Sequence, residues 1–306
     1  MSETLPTHDV VGRDQLLARL DGIVERVHAG RRVTAFISGE AGIGKTALLR
    51  AAAAMAADRG ARTAWGTCID VDAAAGYWPW TQALDGLVRA VGADRVLDAV
   101  GDDAALLASI VPSIGTTASG GATSERDRLL AMDATNRFLE TIAGHRAVVI
   151  VLDDLQWADE SSLALLDFVS RGSHASGVGV IGAYRHDELP SGTRHRLGEL
   201  VTRGEHLHVE GLDVDAVQTL VERLTGSPIE RTVAARIHAR TAGHPFFVRE
   251  LALLDRRAGV GAEQVPAAVH DLIDRRVARL PDATTAVLEV AAVAGSDLLP
   301  DVVAAA

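Results

Sequence analysis

Lysine is almost missing from this sequence. Of its 30 basic residues, 29 are arginine and only Lys45 is a lysine. Cysteine is equally scarce: Cys68 stands alone, which excludes an intrachain disulfide and suits a reducing compartment. Aromatic residues make up 4% of the chain. No apolar run reaches the ~18 residues a membrane span needs. The start, Met1 to Pro6, lacks the basic segment and apolar core of a signal peptide. These absences point to a cytoplasmic protein with no membrane partner. Basic clusters are also missing. With a net charge of −11, the chain is poorly equipped to grip nucleic acid by itself, so direct DNA binding is not expected of it. Against this, 48% of 306 residues are hydrophobic, enough for two or three packed domains.

The lone lysine closes a glycine-rich loop. Gly39-Glu40-Ala41-Gly42-Ile43-Gly44-Lys45-Thr46 fits the P-loop pattern G-x-x-x-x-G-K-[ST]. An apolar, β-prone run, Val33 to Ser38, precedes it, and a strong helix former, Ala47 to Ala57, follows. Strand, glycine loop and helix are the context that gives the motif a mechanism. The glycines let backbone N–H groups turn inward around phosphates, and the helix adds its own free N–H groups and positive dipole end. The expected nucleotide-binding residues are therefore Gly39 to Thr46 with Ala47. Lys45 would reach the β- and γ-phosphates, and Thr46 would hold Mg²⁺. A compact ammonium suits this cradle better than a planar guanidinium does.

A second anchor lies downstream. Ala147 to Leu152 is a continuous apolar run without polar alternation, the pattern of a strand buried on both faces of a parallel sheet. It ends in Asp153-Asp154, which puts two carboxylates at the sheet's carboxyl edge, where α/β proteins bind ligands. Asp153 is the expected Mg²⁺ ligand, and Asp154 would orient or deprotonate a water. Gly177 to Arg185 is another unalternating strand. Arg185 at its end reads either as a γ-phosphate sensor or as the partner of Asp187 or Glu188 in a surface ion pair.

Between these anchors the pattern predicts a helix over Gln15–His28, a strand over Arg62–Cys68, and a loop over Ile69–Trp80. That loop is rich in Trp and Tyr and reads as a hydrophobic plug or a partner-binding surface. Helices are expected over Thr81–Val91, Asp94–Ile110 and Glu125–Ala143, with a mobile loop over Pro112–Ser124. Asp159 to Ser162 is a helix-capping cluster. A final strand covers Glu205–Gly211. Beyond Leu212 the pattern is all helical: Val214–Leu224, Glu230–Thr241, Phe246–Arg257, Val265–Leu280 and Asp282–Ala294. The last residues, ending at Ala306, stay apolar and uncapped, as if a domain were cut. The expected fold is α/β, a P-loop NTPase with a central parallel sheet flanked by helices, spanning residues 1–211. A small all-α subdomain over 212–260 and a further segment over 261–306 follow.

These residues together resemble the STAND class of P-loop ATPases, a signalling branch near the AAA+ ATPases. More narrowly, they are similar to the N-terminal ATPase module of large ATP-binding LuxR-type transcriptional regulators. The resemblance covers almost the whole chain. Its most specific parts are the P-loop and the Asp153-Asp-Leu-Gln-Trp-Ala-Asp159 extension of the Walker B strand. It implies that Val11, Gly12 and Arg13 lie against adenine and that Pro245, in Gly243-His-Pro245, touches the base. It also implies that Val265–Leu280 begins a truncated winged-helix domain and that DNA binding belongs to a missing C-terminal part. Arg194, Arg196 and Arg203 remain equal candidates for an arginine finger.

The expected cofactors are ATP or ADP with Mg²⁺. The leading expectation is a slow, Mg-dependent ATPase acting as an ATP/ADP conformational switch in a transcriptional regulator, self-associating on ATP binding. The alternatives are a module that holds nucleotide without significant hydrolysis, a mechanical AAA+-type ATPase and, more weakly, a small-molecule kinase.

Overall fold

The computed structural model describes residues 10–70, 76–115, 124–258, 277 and 282–294. The chain divides into two units, Met1–Leu212 and Asp213–Ala306.

The first unit is built on five parallel strands: β1 (Val33–Ser38), β2 (Arg62–Thr67), β3 (Val148–Asp153), β4 (Val178–Tyr184) and β5 (Glu205–His208). Their order across the sheet is β2-β3-β4-β1-β5. Parallel neighbours need crossovers, and helices supply them. They are α1 (Asp14–His28), α2 (Lys45–Asp58), α3 (Trp78–Val91), α4 (Ala93–Val100), α5 (Ala104–Ala108), α6 (Glu125–His145), α7 (Glu160–Ser170) and α8 (Ser191–Arg203). The unalternating runs do occupy the middle of the sheet: every residue of β3 and β4 is buried. The edge strands β2 and β5 alternate, as a half-covered strand should. Two apolar layers cover the faces. One is centred on Phe36, Ile150, Val180, Trp80 and Phe138. The other is centred on Ile37, Val149, Ile181, Leu20 and Leu49.

Local chemistry explains where the elements start and stop. Ser124 caps α6 through a capping box with Asp127, and Asp159 caps α7 by accepting from the Ser162 N–H. The stretch Asp94–Ile110, expected as one helix, is broken into α4 and α5 because Gly101 takes a positive φ of 54°. α3 begins three residues earlier than expected. Pro79 reads as a helix breaker, but it sits in the first turn, where its missing N–H costs nothing. Trp80 then plugs the core, fully buried, with its indole N–H donating to the Ser162 carbonyl at 3.0 Å. α3 comes so close to β2 that a Cβ on Gly66 would lie 1.9 Å from the Pro79 carbonyl oxygen. α8 was not anticipated: it is mostly polar, and only Leu197 and Leu200 reach the core.

The second unit contains α9 (Val214–Thr225), α10 (Arg231–Thr241), α11 (Pro245–Ala258) and α12 (Asp282–Ala294). Asp213 caps α9 through the Ala216 N–H, and Gly226 ends it in the left-handed conformation. α9, α10 and α11 pack on one another around Val217, Val221, Ile237 and Val248. Pro245 opens α11 at a first-turn position. The expected helix Val265–Leu280, with the winged-helix start that the resemblance implies, lies almost entirely outside the described residues, as do 116–123 of the expected loop.

Candidate functional site

Sheet order decides which strand ends meet. β4 lies between β1 and β3, so the segments leaving these three strands emerge side by side at the carboxyl edge. Ser38 pairs with Tyr184, so the P-loop and Arg185 leave the sheet at the same level. Leu152 pairs with Gly182, which places Asp153 one residue below that edge.

The P-loop turns on glycines at positive φ: 156° at Gly39, 79° at Gly42 and 109° at Gly44. At Gly39 a side chain is excluded twice, by conformation and because a Cβ would sit 2.8 Å from the Val209 carbonyl oxygen. Ala41 and Ile43 are buried and anchor the loop, while Glu40 and Gly42 are exposed. α2 then starts at Lys45, and no side chain caps it. Its first-turn N–H groups, with that of Ala47 among them, face the position a phosphate takes at such a terminus.

Lys45 is only 6% exposed. Its Nζ donates to the carbonyls of Gly39 and Glu40 at 3.0 and 2.8 Å. Burial, and then the nearby Arg185 guanidinium, push its pKa down to about 8, against the opposing pull of Asp154 and Asp153. The Thr46 hydroxyl donates to Asp153 Oδ2 at 2.8 Å, joining residues 107 positions apart. Asp153 is buried, and burial raises its pKa despite that hydrogen bond.

Asp154 takes a left-handed conformation with φ of 56°, which an aspartate tolerates better than most residues. Its carboxylate accepts from Gln156 Nε2 at 2.8 Å and lies 3.7 Å from Arg185 Nη2. Arg185 is not free at the edge. Glu188 holds its Nη1 at 3.0 and 3.1 Å, and its guanidinium stacks over the Trp157 ring at 5.0 Å. The ion pair with Glu188 and the placement beside Asp154 and Lys45 therefore coexist, and the two sequence readings of Arg185 are not exclusive.

At the outer side of the loop, Arg13 is 9% exposed, and its guanidinium donates to the carbonyls of Glu210 (2.6 Å) and Gly211 (3.4 Å). This ties the segment Val11-Gly12-Arg13 to the chain just after β5, where Val209 packs on Gly39. Pro245 belongs to the second unit and is placed only as the start of α11. Of the finger candidates, Arg194 donates to the Leu189 carbonyl and Arg196 pairs with Glu160 near the start of α8; Arg203, at its end, pairs with Asp167.

Several site residues escaped the sequence reading. Ser38, just before the P-loop, holds His206 Nε2 at 2.7 Å and His208 Nδ1 at 3.0 Å. The His-Leu-His alternation on a strand was the available signal, since it puts both rings on one face. Gln156 enters the sequence reading only within the Asp153–Asp159 motif and Glu188 only as an ion-pair partner of Arg185; the short turn Leu155–Trp157 and the bend after β4 place them.

The residues fit a nucleotide triphosphate with a divalent cation. The cradle is glycine-formed, its lysine is buried, and Thr46 and Asp153 offer two hard oxygen ligands at one point. Among the described residues, no group of three or more His, Cys, Asp or Glu is placed to hold a metal alone. A bound Mg²⁺ would supply Lewis-acid stabilisation of phosphoryl oxygens.

Fold and loop define a P-loop NTPase-type nucleotide-binding protein. Residues 9–181, more than half the chain, match the AAA ATPase domain family, and the chain belongs to that family. No curated protein matches it. Among solved structures, it is similar to a Signal Transduction ATPase with Numerous Domains (STAND) protein with a tetratricopeptide repeat sensor from Pyrococcus horikoshii. That match has 17% identity and a TM-score of 0.49, covering 91% of this chain and 34% of the other. It is also similar to AMPPCP-bound DnaA from Aquifex aeolicus, at 15% identity and a TM-score of 0.49, covering 85% and 66%. A third similarity is to RuvB from Thermotoga maritima, at 15% identity and a TM-score of 0.48, covering 98% and 84%. The chain thus spans about a third of the STAND protein and 66% of DnaA. Among the described residues, no helix is long and apolar enough to cross a membrane.

Proposed function

We propose that this chain is a Mg²⁺-dependent ATP-binding and slowly hydrolysing module that works as an ATP/ADP switch within a larger signalling regulator of the LuxR type. The observation that carries the reading is the meeting of Thr46 with Asp153 beside the buried Lys45. Lys45 would neutralise the β- and γ-phosphates, Thr46 and Asp153 would hold the cation, Asp154 would orient the attacking water, and Arg185 would report the γ-phosphate. Val11, Gly12, Arg13 and Pro245 join as adenine contacts on the strength of the family resemblance. Self-association on ATP binding, cytoplasmic location and DNA binding by a part beyond this chain belong to the same proposal. So does the division into a nucleotide domain (1–211), a helical subdomain (212–260) and the beginning of a winged helix (261–306).

The test is Asp154→Asn, with nucleotide binding and phosphate release measured on the same preparations. We expect ADP and ATP affinities within threefold of the parent and a loss of turnover of roughly 100-fold, within the range general-base removal gives. Parent-like turnover in this variant removes Asp154 from the chemistry. Binding with no turnover in the parent itself favours the second reading, a nucleotide-holding module, for which the ion-paired Arg185 is the supporting feature.

A further inference from the structure

Gln156 lies in the turn after β3 and is 1% exposed. A buried primary amide must place both its ends, and this one does. Nε2 donates to Asp154 Oδ1 at 2.8 Å, and Oε1 accepts from the backbone N–H of Arg185 at 3.1 Å. The partners fix the orientation of the amide without ambiguity, because a backbone N–H can only donate and an ionised carboxylate only accepts. The bonds therefore run as one chain: Arg185 N–H to Gln156 to Asp154. They cross from the end of β4 to the end of β3, two strands that are buried along their length.

Two further residues strengthen the link. Trp157 stacks on the Arg185 guanidinium at 5.0 Å, and Glu188 holds its Nη1. Asp154 sits in a left-handed conformation, with φ of 56°, at the turn that follows β3. Gln156 donates a hydrogen bond to its carboxylate side chain. A misplacement of even 1 Å at such a group costs orders of magnitude in rate.

We propose that Gln156 is a positioning residue that fixes Asp154 and Arg185 relative to each other, so that the water-orienting carboxylate and the γ-phosphate-reading cation move as one unit. This rests on the nucleotide site proposed above. Its consequence is that discrimination of tri- from diphosphate and catalytic turnover share one strut.

The experiment compares the parent, Gln156→Leu, Arg185→Ala and the double variant. ADP and a non-hydrolysable ATP analogue are titrated by calorimetry, and turnover is measured in parallel. Gln156→Leu keeps the shape and removes both bonds. It is expected to bind ADP within twofold of the parent, to lose at least fivefold in the analogue-to-ADP affinity ratio, and to lose at least tenfold in kcat. In the Arg185→Ala background the same change is expected to alter that ratio by less than twofold, because coupled residues are not additive. An unchanged ratio in Gln156→Leu, or an undiminished effect in the Arg185→Ala background, overturns the proposal. Should Gln156→Leu fail to fold by circular dichroism, Gln156→Glu decides. It keeps the acceptor for Arg185 but sets a carboxylate against Asp154, and at least a tenfold fall in kcat with ADP binding kept within twofold is expected. A kcat within twofold of the parent overturns the proposal. A parent that binds no adenine nucleotide overturns the site assignment instead, so the two failures are distinguishable.

Discussion

Two cations are buried in the α/β unit, and they are treated differently. Arg32, at the amino edge of the sheet, is 9% exposed; Lys45, at the carboxyl edge, is 6% exposed. Burial lowers the pKa of both. Arg32 brings its own compensation. Nη2 pairs with Glu140 at 2.8 Å, Nε donates to the Ser173 carbonyl and the Ser176 hydroxyl, and Nη1 donates to Asn136 and the Val169 carbonyl. Lys45 bonds two neutral carbonyls of its own loop and has no carboxylate in salt-bridge contact among the described residues. The difference separates structural charge from functional charge. A cation that serves the fold is neutralised by the fold, whereas one that serves a ligand is left with its charge to spend. Cavity volume does not make this distinction. Arg32 lines a cavity of about 370 Å³ with Ser170, Arg171, His174 and Arg203, yet every one of its nitrogens is already engaged.

The strongest test of the contrast is to remove each charge. Lys45→Met should weaken ATP and ADP binding at least 100-fold, since no other lysine exists in the chain to replace it. The same variant should be more stable than the parent in the absence of nucleotide, by roughly 1 kcal/mol, because a buried and incompletely compensated charge is gone. Denaturant titration beside calorimetry reads both effects. A Lys45→Met protein that is less stable than the parent would erase the contrast. Arg32→Met should do the reverse. It strands Glu140, Asn136 and two carbonyls, and should cost about 3 kcal/mol of stability, while nucleotide affinity stays within twofold. Arg32→Met with intact stability would show that the amino-edge network is ornamental.

The same contrast explains what could be read in advance. Strands β3 and β4 were legible because burial on both faces leaves an apolar run with no alternation, a statement about water that needs no knowledge of partners. The P-loop was legible because its glycines are needed for backbone reasons and its strand and helix flank it. The α8 helix was not, since only Leu197 and Leu200 of its thirteen residues reach the core, too few to set a period. The early start of α3 was hidden by Pro79, whose meaning depends on which side of the first turn it falls. Gln156 was visible only as one letter of the Asp153–Asp159 motif, and its bonding was hidden for a deeper reason. Its bond from the Arg185 N–H arises from β4 lying beside β3, which no local pattern encodes, whereas the Arg185–Glu188 pair is a local contact that the sequence offered. Arg32 was missed for the same cause: its partners come from residues 136 to 176.

The smallest expected effect concerns a group of titratable imidazoles. His206 and His208 share the Ser38 hydroxyl at the base of the P-loop, and His186 lies edge-on to His208 at 5.7 Å. Burial, and then His208, Arg19 and His186, hold the His206 pKa below its usual 6.5, so the fold favours the neutral ring. Asp187 pairs with His186, and Glu205 with Arg26; the Tyr184 hydroxyl, 3.4 Å from His206, is neutral at these pH values. The sign follows from proton counting. Between the lowered folded value and 6.5, the unfolded chain binds more protons at this site than the native one. Stability is thus unaffected above that window, falls as pH drops through it, and loses nothing more below it. Thermal melts of the parent and His206→Asn at pH 7.5 and 5.0 measure the difference. The acid-induced drop in Tm should be smaller in the variant by about 1–2 °C, a small effect because the residue is only partly covered. An equal drop in both proteins would mean that His206 titrates as it does in the unfolded chain. The uncompensated charge at the carboxyl edge would then be confined to the P-loop lysine.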